Sequence, residues 1–219
     1  SSAASDVYKR QEASTMDWKL FFELLNMIRE EIKENFPYKV VHIDRTEADD
    51  VIAVLIEQTQ EFGKNEPVMI ISSDGDFIQL HKYKNVKQFS PIQKKLVSDP
   101  NPHLYLFEHI VRGDSGDGIP NILSADSTFV DGSRQTPLSK KKIEGWLAKA
   151  EDLQAVMDTE TYRNYQRNKL LIDLTMIPND IRENIINTYE SQKPAPRAKI
   201  LDYLIKKRCK MLVDSVQEF

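Results

Sequence analysis

The chain has 219 residues, of which 40% are hydrophobic, enough to bury a core in one large domain or two small ones. No apolar run reaches the ~20 residues of a membrane helix, no signal-peptide pattern is present, and the single cysteine, Cys209, excludes internal disulfides and fits a reducing, cytoplasmic setting. The net charge of −4 is unevenly spread: residues 1–138 hold 15 basic and 22 acidic residues, whereas residues 139–219 hold 15 and 12. An acidic half suited to cations is followed by a basic half suited to phosphates, although a chance fluctuation of surface charge would look the same.

Residues 1–13 are small, polar and aperiodic, and read as a disordered tail or cloning scar. Trp18, Phe21, Phe22, Leu25, Ile28 and Ile32 recur at helical spacing, with Thr15 or Asp17 as N-cap and Pro37 as the stop. Residues 38–43 (YKVVHI) form a β-branched strand candidate. Residues 47–62 read as a helix that turns Val51, Ile52, Leu55 and Ile56 inward and ends at Gly63. Residues 67–72 (PVMIIS) are continuously apolar, as expected of a parallel strand buried on both faces. A short helix at 75–80 and weaker strands at 86–89 and 94–97 follow. This order predicts an α/β fold with a mainly parallel sheet and flanking helices over residues 14–100.

From residue 101 onward the texture is helical, which predicts a second, C-terminal domain. Helices are predicted at 104–112, from Ser139 to about 150, at 159–172, at 179–190 and from 196 to about 216. A long loop at 113–134 is punctuated by Gly113, Gly116, Gly118, Pro120 and Gly132.

Seven acids stand in three clusters at the ends of apolar runs: Glu47, Asp49 and Asp50; Asp74 and Asp76; Asp114 and Asp117. Open α/β sheets place ligands at the carboxyl ends of their strands. Carboxylates gathered there repel one another unless a cation lies between them. Magnesium binds through one or two carboxylates plus substrate phosphates, and a pair of such ions hydrolyses phosphodiesters. Each cluster has a plainer explanation. Glu47 and Asp50 could serve the helix dipole, SSDGD could be an ordinary turn, and GDSGDG could be a solvated turn; its spacing does not match a calcium loop.

Arg134 and the run Lys140, Lys141 and Lys142 flank the helix start at Ser139, where backbone amides and lysines together suit phosphates. A solvated helix face is the alternative for this run, and the preferred reading for Lys206, Lys207, Arg208 and Lys210. The four histidines, His42, His81, His103 and His109, lack a Ser or Cys partner at recognisable spacing and read as surface or boundary residues.

The motifs EADD (47–50), SSDGDF (72–77) and GDSGDGIP (113–120) resemble the acidic motifs of the 5′ nucleases, the family of flap endonucleases and bacterial 5′–3′ exonuclease domains. STMDW (14–18), residues 70–91 and the ending from Pro194 are similar to the ribonuclease H group of T-even-like phages. The resemblance implies a PIN-like nuclease core and a helical domain with a helix–loop–helix grip on duplex DNA. It implies two Mg2+ ions, replaceable by Mn2+, with Asp49, Asp74 and Asp76 as catalytic ligands and Asp114 and Asp117 at a looser second site. Glu47 and Asp50 would act through water. Implied substrates are branched or nicked DNA and RNA–DNA duplexes with a 5′ end, cut during removal of RNA primers and flaps in phage lagging-strand replication. Implied partners are a single-strand-binding protein or sliding clamp, met by a monomer in the host cytoplasm. Two departures stand out. The family's early strand aspartates have no counterpart before Trp18, which implies an N-terminally truncated core of impaired activity. Its glycine-rich hairpin is replaced by NILSADST at 121–128. Two further functions stay open: a catalytically inactive DNA-binding module, and a small-molecule phosphatase.

Overall fold

The computed structural model describes residues 17–219. The tail at 1–13 and the candidate cap Thr15 lie outside the described residues.

The first helix, α1 (Trp18–Asn35), starts where Asp17 Oδ1 accepts the Leu20 amide at 3.0 Å. None of its residues is buried, and its aromatic side chains pack on one another instead. Residues 39–43 form no strand. The backbone of Val40 is instead satisfied by one side chain: Gln192 accepts from its amide at 2.9 Å and donates to its carbonyl at 2.7 Å. A side-chain amide thus occupies the place of a neighbouring strand, which strand propensity alone cannot reveal.

Helix α2 (Ala48–Gln60) ends before Gly63, whose φ of 75° favours a residue without Cβ. A three-stranded sheet follows, ordered β1 (Val68–Ile71), β2 (Val86–Ser90), β3 (Lys95–Val97). The first pair is parallel and the second antiparallel, so the sheet is mixed rather than mainly parallel. Hairpin-range spacing between β2 and β3 leaves no room for the crossover that a parallel pair requires. Nor is β1 buried on both faces: Ile70 is 5% exposed, but Met69 and Ile71 are 49% and 64% exposed. Between β1 and β2 the chain makes a 3-10 helix at Asp76–Lys82 that buries Phe77 and Leu80.

The second half is helical: α3 (Pro102–Arg112), α4 (Lys140–Leu147), α5 (Leu153–Val156), α6 (Thr159–Ile172), α7 (Asn179–Ser191), α8 (Lys199–Lys206) and α9 (Lys210–Val213). The single helix expected from 196 to 216 is broken. Arg208 adopts a φ of 57°, and the Cys209 amide closes back on the Leu204 carbonyl at 2.9 Å.

The largest core joins both halves of the sequence. Ala53, Val54 and Ile56 of α2, Ile70, Phe77, Leu80 and Val86 around the sheet, and Leu174, Ile177 and Ile185 pack as one cluster. A second cluster holds α3 against α4 and α5 through Phe107, Val111, Ile143, Trp146 and Leu153. Three buried amides fix the register between these parts. Gln79 binds the Ile172 carbonyl and the Leu174 amide, Asn168 binds the carbonyls of Ile110 and Pro120, and Asn164 binds those of Ile122 and Ser124. Each such bond is made in a dry environment, where an unmet carbonyl costs about 1–3 kcal/mol.

Candidate active site

The acidic turn after β1 is held from beneath by Gln88, a fully buried residue of β2. Its amide nitrogen donates to the carbonyls of Ser72, at 3.0 Å, and Asp74, at 2.6 Å. Ser72 Oγ accepts the Asp74 amide and Asp74 Oδ1 accepts the Asp76 amide, which holds the turn and the Asp74 carboxylate in place. Gly75 lets Tyr105 approach the turn: a Cβ there would lie 2.6 Å from the Tyr105 hydroxyl, which would have to shift.

The third cluster is shaped by another glycine. Gly113 takes a φ of 69°, and a Cβ on it would come within 2.3 Å of the Ile119 carbonyl oxygen. The chain reverses through the Asp114–Ile119 bridge. Asp114 Oδ1 accepts the amides of Gly116 and Asp117 at 2.7 and 3.3 Å.

The three clusters face one another. Burial, then the charges of Asp74, Asp76, Glu47 and Asp50, push the Asp49 carboxyl up to about 7. Burial, then Asp114, Asp76, Glu47 and Asp74, also raise the Asp117 carboxyl. All seven acids singled out in the sequence therefore share one electrostatic field. Part of the plainer reading holds for the first cluster as well, because Asp50 Oδ2 accepts the Glu47 amide at 3.2 Å at the start of α2.

Two residues of α3 join the site without having been expected there. His109 was read as a surface or boundary residue, yet its side chain is 14% exposed and lies between Asp76 and Asp114. The close polar contact with Asp76 first, then the charge of Asp76 and the hydrogen bond to Asp114, hold the imidazole pKa above its usual value against the opposing effect of burial. Tyr105 packs edge-on against His109, and burial beside Asp76, Asp74 and Asp114 raises its phenol. The available signal was spacing: His109 and Tyr105 lie one helical turn apart and lead straight into the GD pair at 113–114.

The comparisons with known proteins agree with the motifs. Residues 4–104 match the model of the 5′-3′ exonuclease N-terminal resolvase-like domain, and residues 101–219 match that of T4 RNase H, C terminal. The ribonuclease H of enterobacteria phage T4 is 41% identical over 217 residues, covering 96% of this chain and 70% of the phage protein. The chain belongs to the T4 RNase H family of 5′ nucleases.

Members of this 5′ nuclease family are phosphodiester-cleaving hydrolases. Solved relatives of the same fold include a phage T5 protein co-crystallised with metal ions, with a TM-score of 0.54 and 18% identity over 84% of this chain and 76% of that one. Another is the T5 5′-exonuclease with bound zinc, with a TM-score of 0.53 and 18% identity over 84% and 75%. At those identities the likeness establishes the fold alone.

The residues present fit divalent ions. Asp76, His109 and Asp114 offer ligand atoms within 4.8 Å of one another, and the Asp49 carboxyl is repelled by four neighbouring acids. The basic residues stand apart in character from this centre: Arg134, Lys140, Lys141 and Lys142 are all exposed. Ser139 caps α4 by accepting the Lys142 amide at 3.3 Å. Lys140 reaches Glu144 at 3.8 Å, and Lys142 lies over Trp146. No helix among the described residues is long and apolar enough to cross a membrane.

Proposed function

We propose that the chain is a metal-dependent 5′ nuclease that hydrolyses phosphodiesters near 5′ ends of branched or nicked duplexes, including RNA–DNA hybrids. One observation carries the proposal: three acidic clusters from separate elements share one field, in which burial with Asp74 and Asp76 pushes Asp49 up to about 7 and burial with Asp114, Asp76 and Glu47 raises Asp117. Such an arrangement is costly without cations. In this reading Asp49, Asp74 and Asp76 are the catalytic ligands, Asp114 and Asp117 serve a second position, and Glu47 and Asp50 act through water. Bound Mg2+, or Mn2+ in its place, supplies Lewis-acid polarisation of the phosphodiester.

The chain's own residues do the rest. Gln88 and Gly75 aim the Asp74–Asp76 turn, and the Gly113 reversal presents Asp114 and Asp117 opposite it. Arg134 and Lys140 to Lys142 grip the duplex backbone as part of a helix–loop–helix formed by α3, the loop and α4. A related T5 flap endonuclease has been solved in a pseudo-enzyme–product complex with DNA and metal ions, which supports DNA as a ligand of this fold. The same reading includes primer and flap removal in phage lagging-strand replication, with recruitment by a single-strand-binding protein or clamp in the host cytoplasm.

The test is cleavage of a 5′-labelled flap or RNA–DNA duplex by the purified chain in Mg2+ or Mn2+. Metal-dependent release of short 5′ products supports the proposal. Salt-sensitive duplex binding with no cleavage under either ion favours an inactive DNA-binding module instead.

A further inference from the structure

His109 presents two unlike contacts. Its Nε2 bonds Asp114 Oδ2 at 3.1 Å, and Asp114 Oδ1 is already engaged by the amides of Gly116 and Asp117. Its Nδ1 is buried, has no hydrogen-bond partner, and still lies 3.2 Å from Asp76 Oδ1. A nitrogen and an oxygen that close without hydrogen-bond alignment are spaced like two neighbouring ligands of one ion. Bonds of about 2.1 Å meeting near a right angle put the two donor atoms about 3 Å apart. A ligating imidazole usually donates its other N–H to a carboxylate, which fixes the tautomer and turns the ring. Asp114 is placed for that task.

We propose that His109 supplies a nitrogen ligand, through Nδ1, to the ion held by Asp76, with Asp114 orienting the ring through one lone pair of Oδ2 in addition to its part at the second position. The proposal rests on the nuclease-centre reading above. It changes the chemistry of one position in that centre, because imidazole suits Mn2+, Co2+ and Zn2+ better than Mg2+, which prefers oxygen. This position therefore discriminates among ions in a way that an all-carboxylate site does not.

Pulsed electron paramagnetic resonance of Mn2+ bound to the whole chain tests this directly, since coupling to a 14N nucleus reports a directly bound nitrogen. The wild type should show that coupling, and His109→Gln should lose it while still binding Mn2+. Isothermal titrations should show Mn2+ affinity falling about tenfold in His109→Gln and Mg2+ affinity changing less than about threefold, a difference set by ligand type. Manganese binding without 14N coupling, or with coupling that survives in His109→Gln, overturns the assignment and leaves the nuclease centre standing. No Mn2+ binding that depends on Asp74 and Asp76 overturns both. The wild-type spectrum decides the matter even if the variant folds poorly.

Discussion

Replacing Asp49 by asparagine should stabilise the metal-free protein at alkaline pH. Burial and four acidic neighbours raise the Asp49 carboxyl to about 7, so between pH 4 and 7 the folded chain holds a proton that the unfolded chain has released. Stability contributed by that proton is present below the ordinary carboxylate value and is lost as the pH rises through the folded-state value. At about 1.36 kcal/mol per pH unit the full effect is about 4 kcal/mol. Asp49 keeps part of its surface in water, which screens this to about 1–2 kcal/mol. At pH 8 with chelator, Asp49→Asn should therefore melt about 3–6 °C above the wild type, and its stability should fall less steeply between pH 4 and 7. Millimolar Mn2+ should reverse the order, because a cation that binds only the folded state at a hundredfold excess over its Kd adds about 2.7 kcal/mol. Thermal melts by circular dichroism across pH, with and without Mn2+, measure both effects. An Asp49→Asn protein that melts below the wild type in chelator at pH 8, with an unchanged pH slope, would refute the crowding argument.

Asp74→Asn and Asp76→Asn should each abolish cleavage while leaving duplex affinity within about threefold, as measured by flap cleavage and fluorescence anisotropy; loss of binding with residual cleavage would remove them from the metal centre. Lys141→Ala should weaken binding to all sequences alike and lower the slope of log affinity against log salt by about one. An unchanged slope would take Lys141 out of the contact set. Gly113→Ala should cost at least about 2–3 kcal/mol in urea unfolding, because the added Cβ meets the Ile119 carbonyl at 2.3 Å in a left-handed conformation; a loss below about 1 kcal/mol would mean that the reversal at 113–119 is loose.

The acids were legible because carboxylates at the ends of apolar runs stand out, and helix α6 has the bounds expected of it, 159–172. The strand at 38–43 was misread because strand propensity does not say whether a neighbour exists, and here Gln192, far along the chain, takes the neighbour's place. The burial of β1 was overestimated for a similar reason: an apolar run reports what could be covered, not what covers Met69 and Ile71. His109 was missed because its role depends on α3 packing beside the Asp74–Asp76 turn, a contact between residues more than thirty positions apart. The break at Arg208 lies in a stretch whose helical periodicity is otherwise continuous.

Anomalous diffraction from crystals of the chain soaked in Mn2+ locates every bound ion without reference to activity. Strong peaks among Asp49, Asp74 and Asp76, with a further one beside Asp76 and His109, are what converging side chains of like charge demand. Well-ordered crystals at saturating Mn2+ with no anomalous density there, and with the three groups turned outward into solvent, would contradict the account at its root.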